Sequence, residues 1–515
     1  MELEMIHKLE RAVLFLMIIA LPINCMPKRF SVFLFGQNLT DYFFLIGFAL
    51  IIYEFIKDKF FVPKRLIQFL FIYTLWQCIC LAIGLYTYQY DSYLTIDQIP
   101  KLEWLLMKFN ETGIVLPEIL CIKAWLLCKS VKSIAFLDNI VYITAFYIYH
   151  LYNKEFKKAF KDIRKAITIL AILMGLYSLI ELSWLKFSLK HAEEFLKIFN
   201  LYLYDIETTN NWWPPLLWDG QLRSLTREPS FFGILSTMML PFLWSNIFEK
   251  ENKFRYNVLL FYFNLMIFAT NARTAIVVTL AQLLLLILWG ILCNNKQCLK
   301  KIGVIITITV LAFGTNLVDL KGLVNHNNID GSSIVFTDTG AYIDRNINSV
   351  TNTTSRSNGA RWANLLANIC VVRDHLVFGV GTGLKDAYMY DYILEAGKNN
   401  QEVINWSNDL LKNGVLKSGY PSLNKYADVA VNSGIIGLFM YLLPISWIIY
   451  NLMKYRNWKG TSFVCFPVIS MLGLLAAQLS SAGFTECNGF IWGLLTCYIA
   501  SQSIGDEATN EDKVY

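Results

Sequence analysis

A chain of 515 residues that is 55% hydrophobic, 15% aromatic and only 16% charged, with a mean hydropathy of +0.43, is too apolar for a soluble fold of its length. That excludes a string of soluble domains and predicts one polytopic membrane domain over 1–515. The formal charge of +6 sits in short Lys/Arg clusters between apolar segments, as the orientation of membrane helices requires, so no nucleic-acid partner is implied.

From the N-terminus, Ala12 to Met26 follows a short charged head, lacks a small-residue cleavage site and is succeeded at once by more apolar stretches, which predicts a retained first helix. A bilayer core of roughly 30 Å needs about 20 apolar helical residues per crossing. Further spans are expected at 38–56, 66–86, 133–152, 166–187, 229–248, 256–270, 274–293, 302–318, 427–453, 461–480 and 485–503. The expected fold is an all-α integral membrane bundle of about 12 transmembrane helices. Lys57/Lys59/Lys64/Arg65, Lys154 to Lys165, Lys250/Lys253/Arg255, Lys296/Lys300/Lys301 and Lys454/Arg456/Lys459 should lie on the cytoplasmic side, with both termini. Gly113 to Cys128 is apolar enough to cross, but crossing would turn the most basic loop outward, so it reads as re-entrant or interfacial.

The outer connections are then a loop at 186–226, a tight turn at Asn271-Ala-Arg273, and a large loop at 319–426 that caps the bundle. The large loop holds ten basic and ten acidic residues, which marks a mixed polar segment folded over the helices rather than a polybasic arm. Its early part, Asn325 to Asn358, reads as mobile. In its middle, Trp362, Leu365, Leu366, Ile369, Val372 and Leu376 recur at helical spacing with Arg361, Asn364 and Asn368 opposite, which predicts an amphipathic helix at the bilayer surface that aims Arg361 inward.

Arg223, Arg227, Arg273 and Arg361 therefore share one membrane face, the pattern of an outward anion-binding site. Arg273 alone also fits an anchor that snorkels to the headgroups. Arg223 and Arg227 stand just ahead of Glu228-Pro229-Ser230, where proline suits the first helical turn. A helix N-terminus favours anions, and guanidinium adds a permanently charged, bidentate clamp suited to a diphosphate. Glu228 either pairs with one of these arginines or acts as a base. Gly379-Val-Gly381-Thr-Gly383 reads as a tight turn, since no strand precedes it as a phosphate loop requires. Asp138, Glu181 and Glu486 line a polar path or pair inside the bundle. The histidines His7, His150, His191, His326 and His375 show no metal-ligand spacing, so no metal site is expected.

Arg223-Ser-Leu-Thr-Arg-Glu-Pro-Ser-Phe-Phe-Gly233, Asn271-Ala-Arg-Thr274, Gly359-Ala-Arg-Trp362 and Leu376-Val-Phe-Gly-Val-Gly-Thr-Gly383 together resemble the O-antigen polymerase and ligase superfamily. Ser422-Leu-Asn-Lys-Tyr426 leading into Asn432-Ser-Gly-Ile-Ile-Gly437 is similar to that family's His-Asn-x-Tyr segment and its following turn. The likeness runs from about Arg223 to Leu443. It implies a GT-C-like glycosyltransferase of the bacterial inner membrane that needs no cofactor. Its partners would be membrane lipid and an undecaprenyl-diphosphate-linked oligosaccharide, with a chain-length regulator left open. The diphosphate-binding arginines of the family map onto Arg223 or Arg227, Arg361 and Arg273, with Asn424 and Tyr426 as further substrate contacts. Catalytic roles would fall to Glu228 as general base and to Arg223 and Arg361. Leu423 stands where the ligases carry a histidine, which favours a repeat-unit polymerase over a ligase. A transporter of lipid-linked oligosaccharide is the non-enzymatic alternative, although transporters place charged features near the bilayer midplane.

Overall fold

The computed structural model describes residues 2–32, 36–58, 63–206, 214–248, 253–318, 356–455 and 462–511. Long apolar stretches become helices because hydrocarbon offers no partner to free backbone N–H and C=O groups. α1 (Glu2–Ala20), α2 (Leu39–Asp58) and α3 (Lys64–Tyr86) run back and forth in turn. α4 (Pro100–Glu111) and α5 (Glu118–Lys132) follow, and a π-helical turn at Ser133–Asp138 leads into α6 (Ile140–Tyr152). Next come α7 (Phe156–Phe187) and the short amphipathic α8 (Lys190–Leu203). A four-helix run is made by α9 (Pro229–Phe248), α10 (Lys253–Ala269), α11 (Arg273–Cys293) and α12 (Lys296–Leu317). α13 (Arg356–Asp374), α14 (Lys385–Ala396) and α15 (Gln401–Asn413) form a cap. α16 (Lys425–Lys454), α17 (Ser462–Ala477) and α18 (Glu486–Glu511) complete the bundle.

Every expected span coincides with a helix, and among the described residues seven helices are long and apolar enough to cross a membrane by length and composition. The chain is a multi-pass membrane protein. The first helix lies earlier in the sequence than expected, because Pro22 disfavours helical geometry at Leu21 and ends α1 at Ala20. α9 is apolar all round, and nearly all of it is buried beneath α7, α10, α11 and α17. At its start a Cβ on Gly233 would lie 2.7 Å from Ala275 Cβ, so glycine lets the N-terminal ends of α9 and α11 approach closely.

The described parts of the connections at 21–32, 36–38, 188–206, 214–228, 270–272 and 478–485 gather with the cap at one end of the bundle. Asp205 N–H donates to Cys25 O at 2.9 Å, Leu222 N–H to Ala269 O at 3.0 Å, and Ala482 N–H to Ser422 O at 3.1 Å. Lys64 and Arg65 of α3, Lys157 to Lys165 of α7, and Lys296, Lys300 and Lys301 of α12 lie at the other end. The segment read as re-entrant or interfacial becomes α5, whose Ile122 and Leu126 share a second hydrophobic cluster with Leu81, Ala363, Val380 and Tyr388 of α3 and the cap. α4, and α8 within the 186–226 loop, are helices that the hydrophobic pattern left unassigned. α8 leaves Ile198 and Tyr202 exposed. Most of Asn325 to Asn358, read as mobile, lies outside the described residues.

α13 has the expected faces. Trp362 and Ile369 are exposed, whereas Asn364 and Asn368 are buried beside Ala360, Ala363 and Ala367. The chain after it does more than lie over the bundle, because residues 376–384 wedge between α3 and α16. α16 breaks at Gly434 (φ 68, ψ −175), a conformation open essentially to glycine alone. The break frees backbone groups that the wedge satisfies: Val380 N–H donates to Val431 O (2.8 Å), Gly381 N–H to Asn432 O (3.1 Å), and Ile435 N–H to Leu376 O (2.9 Å). Trp76 of α3 completes the seam by donating to Ser433 O at 2.9 Å. The three glycines of Gly379-Val-Gly381-Thr-Gly383 all have positive φ, so this is a turn whose N–H groups serve helix carbonyls.

A Gly434→Ala change forces a Cβ into Val377 O and costs roughly 1–3 kcal/mol in backbone strain alone. Thermal unfolding in detergent is expected to fall markedly for Gly434→Ala. Gly303→Ala, where nothing lies within 4 Å, should leave it unchanged or slightly higher.

Candidate functional site

The start of α9 is shaped by the turn that precedes it. Ser224 takes a left-handed conformation (φ 54), and Thr226 donates its hydroxyl to Arg223 O at 2.7 Å or Glu228 O at 2.8 Å. This turn points the two arginines in different directions. Arg223 is 1% exposed, donates from Nη1 to Pro215 O (2.9 Å) and from Nη2 to Leu216 O (2.8 Å), and lies 4.2 Å over the Tyr204 ring. The Glu181 carboxylate sits close by, accepting the backbone N–H groups of Arg223 (3.1 Å) and Ser224 (2.8 Å). Arg223 thus pins the connecting loop to α7. Arg227 turns the other way and stacks 4.4 Å over Phe231, while its carbonyl accepts from Trp218 Nε1 at 3.1 Å.

Glu228 lies within electrostatic reach of both Arg227 and Arg361, and Ser230 donates its hydroxyl to the carboxylate. Burial pulls the Arg227 guanidinium below its ordinary pKa, with Glu228 among the groups that partly offset the loss. Arg361, on the inward face of α13, donates from Nη1 to Ser480 O at 2.6 Å. Burial lowers its pKa as well, Glu228 and Glu402 counter that, and the nearby Arg273 adds to it. Arg273, the first residue of α11, donates from Nη1 to Asn358 Oδ1 at 2.6 Å. Its neighbour Thr274 joins the same loop through a 3.2 Å hydroxyl contact with Ser480.

Arg227, Glu228, Arg273 and Arg361 therefore converge at the cap end, from α9, α11 and α13. Arg223 is a buried brace beside them. Asn424 and Tyr426 are supports: Asn424 caps α16 by accepting from Ala427 N–H (3.0 Å) and donates to Leu479 O (3.1 Å), while the Tyr426 hydroxyl donates to Leu475 O (2.9 Å). Both tie α16 to α17 and so hold the loop that carries Ser480. Asp138, Glu181 and Glu486 pair within the bundle: Asp138 is 3.7 Å from Lys425 Nζ, Glu181 takes the backbone bonds above, and Glu486 accepts from Asn38 at 3.0 Å.

Sequence reasoning did not find Ser480, Asn358 or Glu402, because an ordinary serine, asparagine or surface-helix glutamate carries no motif. It also missed a buried network beneath the cap, where Lys385 donates to Ser422 Oγ (2.7 Å) and to Asp428. Burial would depress the Lys385 ammonium, but Asp428 and Asp386 outweigh it and hold the pKa above the ordinary lysine value. A lysine beside Asp386 and two residues after three closely spaced glycines was the available signal.

A half-buried cluster of three arginines and a carboxylate thus stands at one end of a polytopic membrane bundle, under a helical cap. Residues 258–442 match the family model described as O-antigen ligase, and that segment carries the likeness to the O-antigen ligase and polymerase superfamily. No curated protein matches the chain. The matched segment contains Arg273, Arg361, Asn424 and Tyr426, whereas Arg223, Arg227 and Glu228 lie ahead of it.

Proposed function

We propose that the chain polymerises lipid-linked oligosaccharide repeat units at the outer face of the bacterial inner membrane, transferring glycan from undecaprenyl diphosphate to a sugar hydroxyl of the next repeat. The observation that carries this reading is the position of Arg361, within the fields of both Glu228 at the start of α9 and Arg273 at the start of α11. The acceptor hydroxyl attacks the anomeric carbon, the bond from that carbon to the diphosphate oxygen breaks, and the diphosphate leaves with an added negative charge. Guanidiniums fixed by Ser480 and Asn358 meet that charge without reorganising, which is the form of electrostatic stabilisation that lowers barriers most. The acceptor proton passes to Glu228, the carboxylate within reach of the cluster. Arg227 lies within the field of Glu228 and places a second positive charge beside the site. The donor's own glycosyl–diphosphate bond supplies the driving force, so no nucleotide is consumed.

The positive clusters at the opposite end support placing the cap on the outer side, with both termini cytoplasmic. The family description favours a second reading, a ligase that moves finished glycan to another acceptor. Leu423, where ligases carry a histidine, supports the polymerase. The test is gel electrophoresis of surface polysaccharide from a deletion strain complemented with the wild type or with Glu228→Gln. The wild type should restore a ladder. Glu228→Gln, which keeps shape and loses the base, should reduce polymer formation by about 10²- to 10⁴-fold and leave single-repeat glycan. Full-length chains accumulating on the lipid carrier would instead establish the ligase, and absence of any glycan at the outer face would establish transport.

A further inference from the structure

At the end of the bundle opposite the cap, three helices bring together four side chains that the transfer reaction does not use. His7 and Glu10 come from α1, Glu54 from α2 and His150 from α6. His7 Nδ1 lies 3.1 Å from Glu10 Oε2, His7 Nε2 lies 3.7 Å from Glu54 Oε1, and His150 Nε2 lies 2.6 Å from Glu54 Oε2. His7, Glu10 and Glu54 each offer a ligand atom within 4.8 Å of the others. Glu10 and Glu54 are buried and feel each other's charge, and Glu10 Oε1 is buried with no hydrogen-bond partner. A buried carboxylate oxygen without a donor is a costly arrangement that a cation would relieve.

We infer that His7, Glu10, Glu54 and His150 form a binding site for a divalent transition-metal ion of the zinc class, clamping α1 to α2 and α6. Two imidazoles and two carboxylates are a donor set suited to zinc, and their formal charge balances a dication. Ligand atoms 2.0–2.2 Å from a tetrahedral zinc stand roughly 3.3–3.5 Å apart. His7, Glu10 and Glu54, each offering one ligand atom within 4.8 Å of the others, have to draw in around the ion, and the 2.6 Å contact between His150 and Glu54 has to open. Magnesium and calcium, which prefer all-oxygen shells, fit the imidazoles poorly. The His7 side chain is 41% exposed and gives the ion a way in, while Glu10 and Glu54 close the site from within. Tyr147 supports the arrangement from the second layer by donating to Glu10 O at 2.8 Å. The site lies at the other end of the helices from the arginines, so it serves the packing of the bundle rather than transfer.

The test uses full-length protein in detergent, freed of any affinity tag and stripped with EDTA, then titrated separately with Zn²⁺ and Co²⁺. One Zn²⁺ per chain is expected by elemental analysis, with a higher melting temperature, and Co²⁺ should give the visible absorption bands of a four-coordinate site. His7→Ala and His150→Ala should each weaken binding by at least about tenfold and abolish the cobalt bands. His7→Ala alters an exposed residue, so its metal-free melting temperature should match that of the wild type and separate lost binding from lost folding. Failure of the wild type to take up stoichiometric Zn²⁺, or undiminished uptake by both variants, would overturn the inference.

Discussion

Replacing Arg361 by alanine is expected to cut glycan transfer by about 10²- to 10³-fold while leaving the amount of protein in the membrane unchanged. The magnitude is that of removing one fixed donor from the place where charge develops. Arg361 suits this role because its guanidinium is buried, is held by Ser480 O, and lies within the fields of Glu228, Glu402 and Arg273. Its fold contribution is small, since the carbonyl it leaves belongs to a loop already secured by Asn424 and by Thr274. Arg361→Lys should recover only part of the rate, because a point charge cannot reproduce the planar fork that engages two diphosphate oxygens. Transfer from a synthetic lipid-diphosphate donor in proteoliposomes, normalised to protein, measures both. Wild-type turnover by Arg361→Ala would remove the arginine clamp from the mechanism.

Arg223→Ala is expected to fail differently, through loss of folded protein rather than of turnover. Arg223 is 1% exposed, bridges two carbonyls of the loop ahead of α9, covers Tyr204 and faces the buried Glu181. Removing it takes the nearby positive charge from the buried Glu181, whose two backbone hydrogen bonds remain, and leaves the Pro215 and Leu216 carbonyls without their donor, at about 1–3 kcal/mol for each buried group left unsatisfied. Membrane abundance and thermal unfolding in detergent should both drop sharply, and Glu181→Gln in the same chain should restore part of the loss by removing the buried charge. Normal stability with abolished transfer would move Arg223 into the ligand site.

The contrast between these two arginines shows where the sequence is legible. Span positions could be read because hydrocarbon thickness imposes a length on apolar helices, and Pro229 marks the start of α9 because proline lacks the N–H that a first turn leaves unused. The face of α13 could be read because helical spacing sorts Trp362 and Ile369 from Asn364 and Arg361. The direction of Arg223 could not, since it depends on the left-handed backbone at Ser224, a conformation no residue pattern announces. Asn424 and Tyr426 stand out equally well in sequence as ligands or as caps, and only their bonds to Leu479 O and Leu475 O make them supports. The wedge at 376–384 and the cluster of His7, Glu54 and His150 depend on contacts between distant segments, to which local periodicity is blind.

The interlock between residues 376–384 and the broken α16 has a consequence for engineering. Each side completes the backbone bonding of the other, so neither is a self-sufficient part. A chimera that borrows the cap of a relative while keeping its own α16 would expose unbonded peptide groups at the seam. Donor preference should therefore transfer between relatives only when 356–454 is exchanged as one cassette, since the helices between the wedge and α16 are tied to both through Lys385, Ser422 and Asp428.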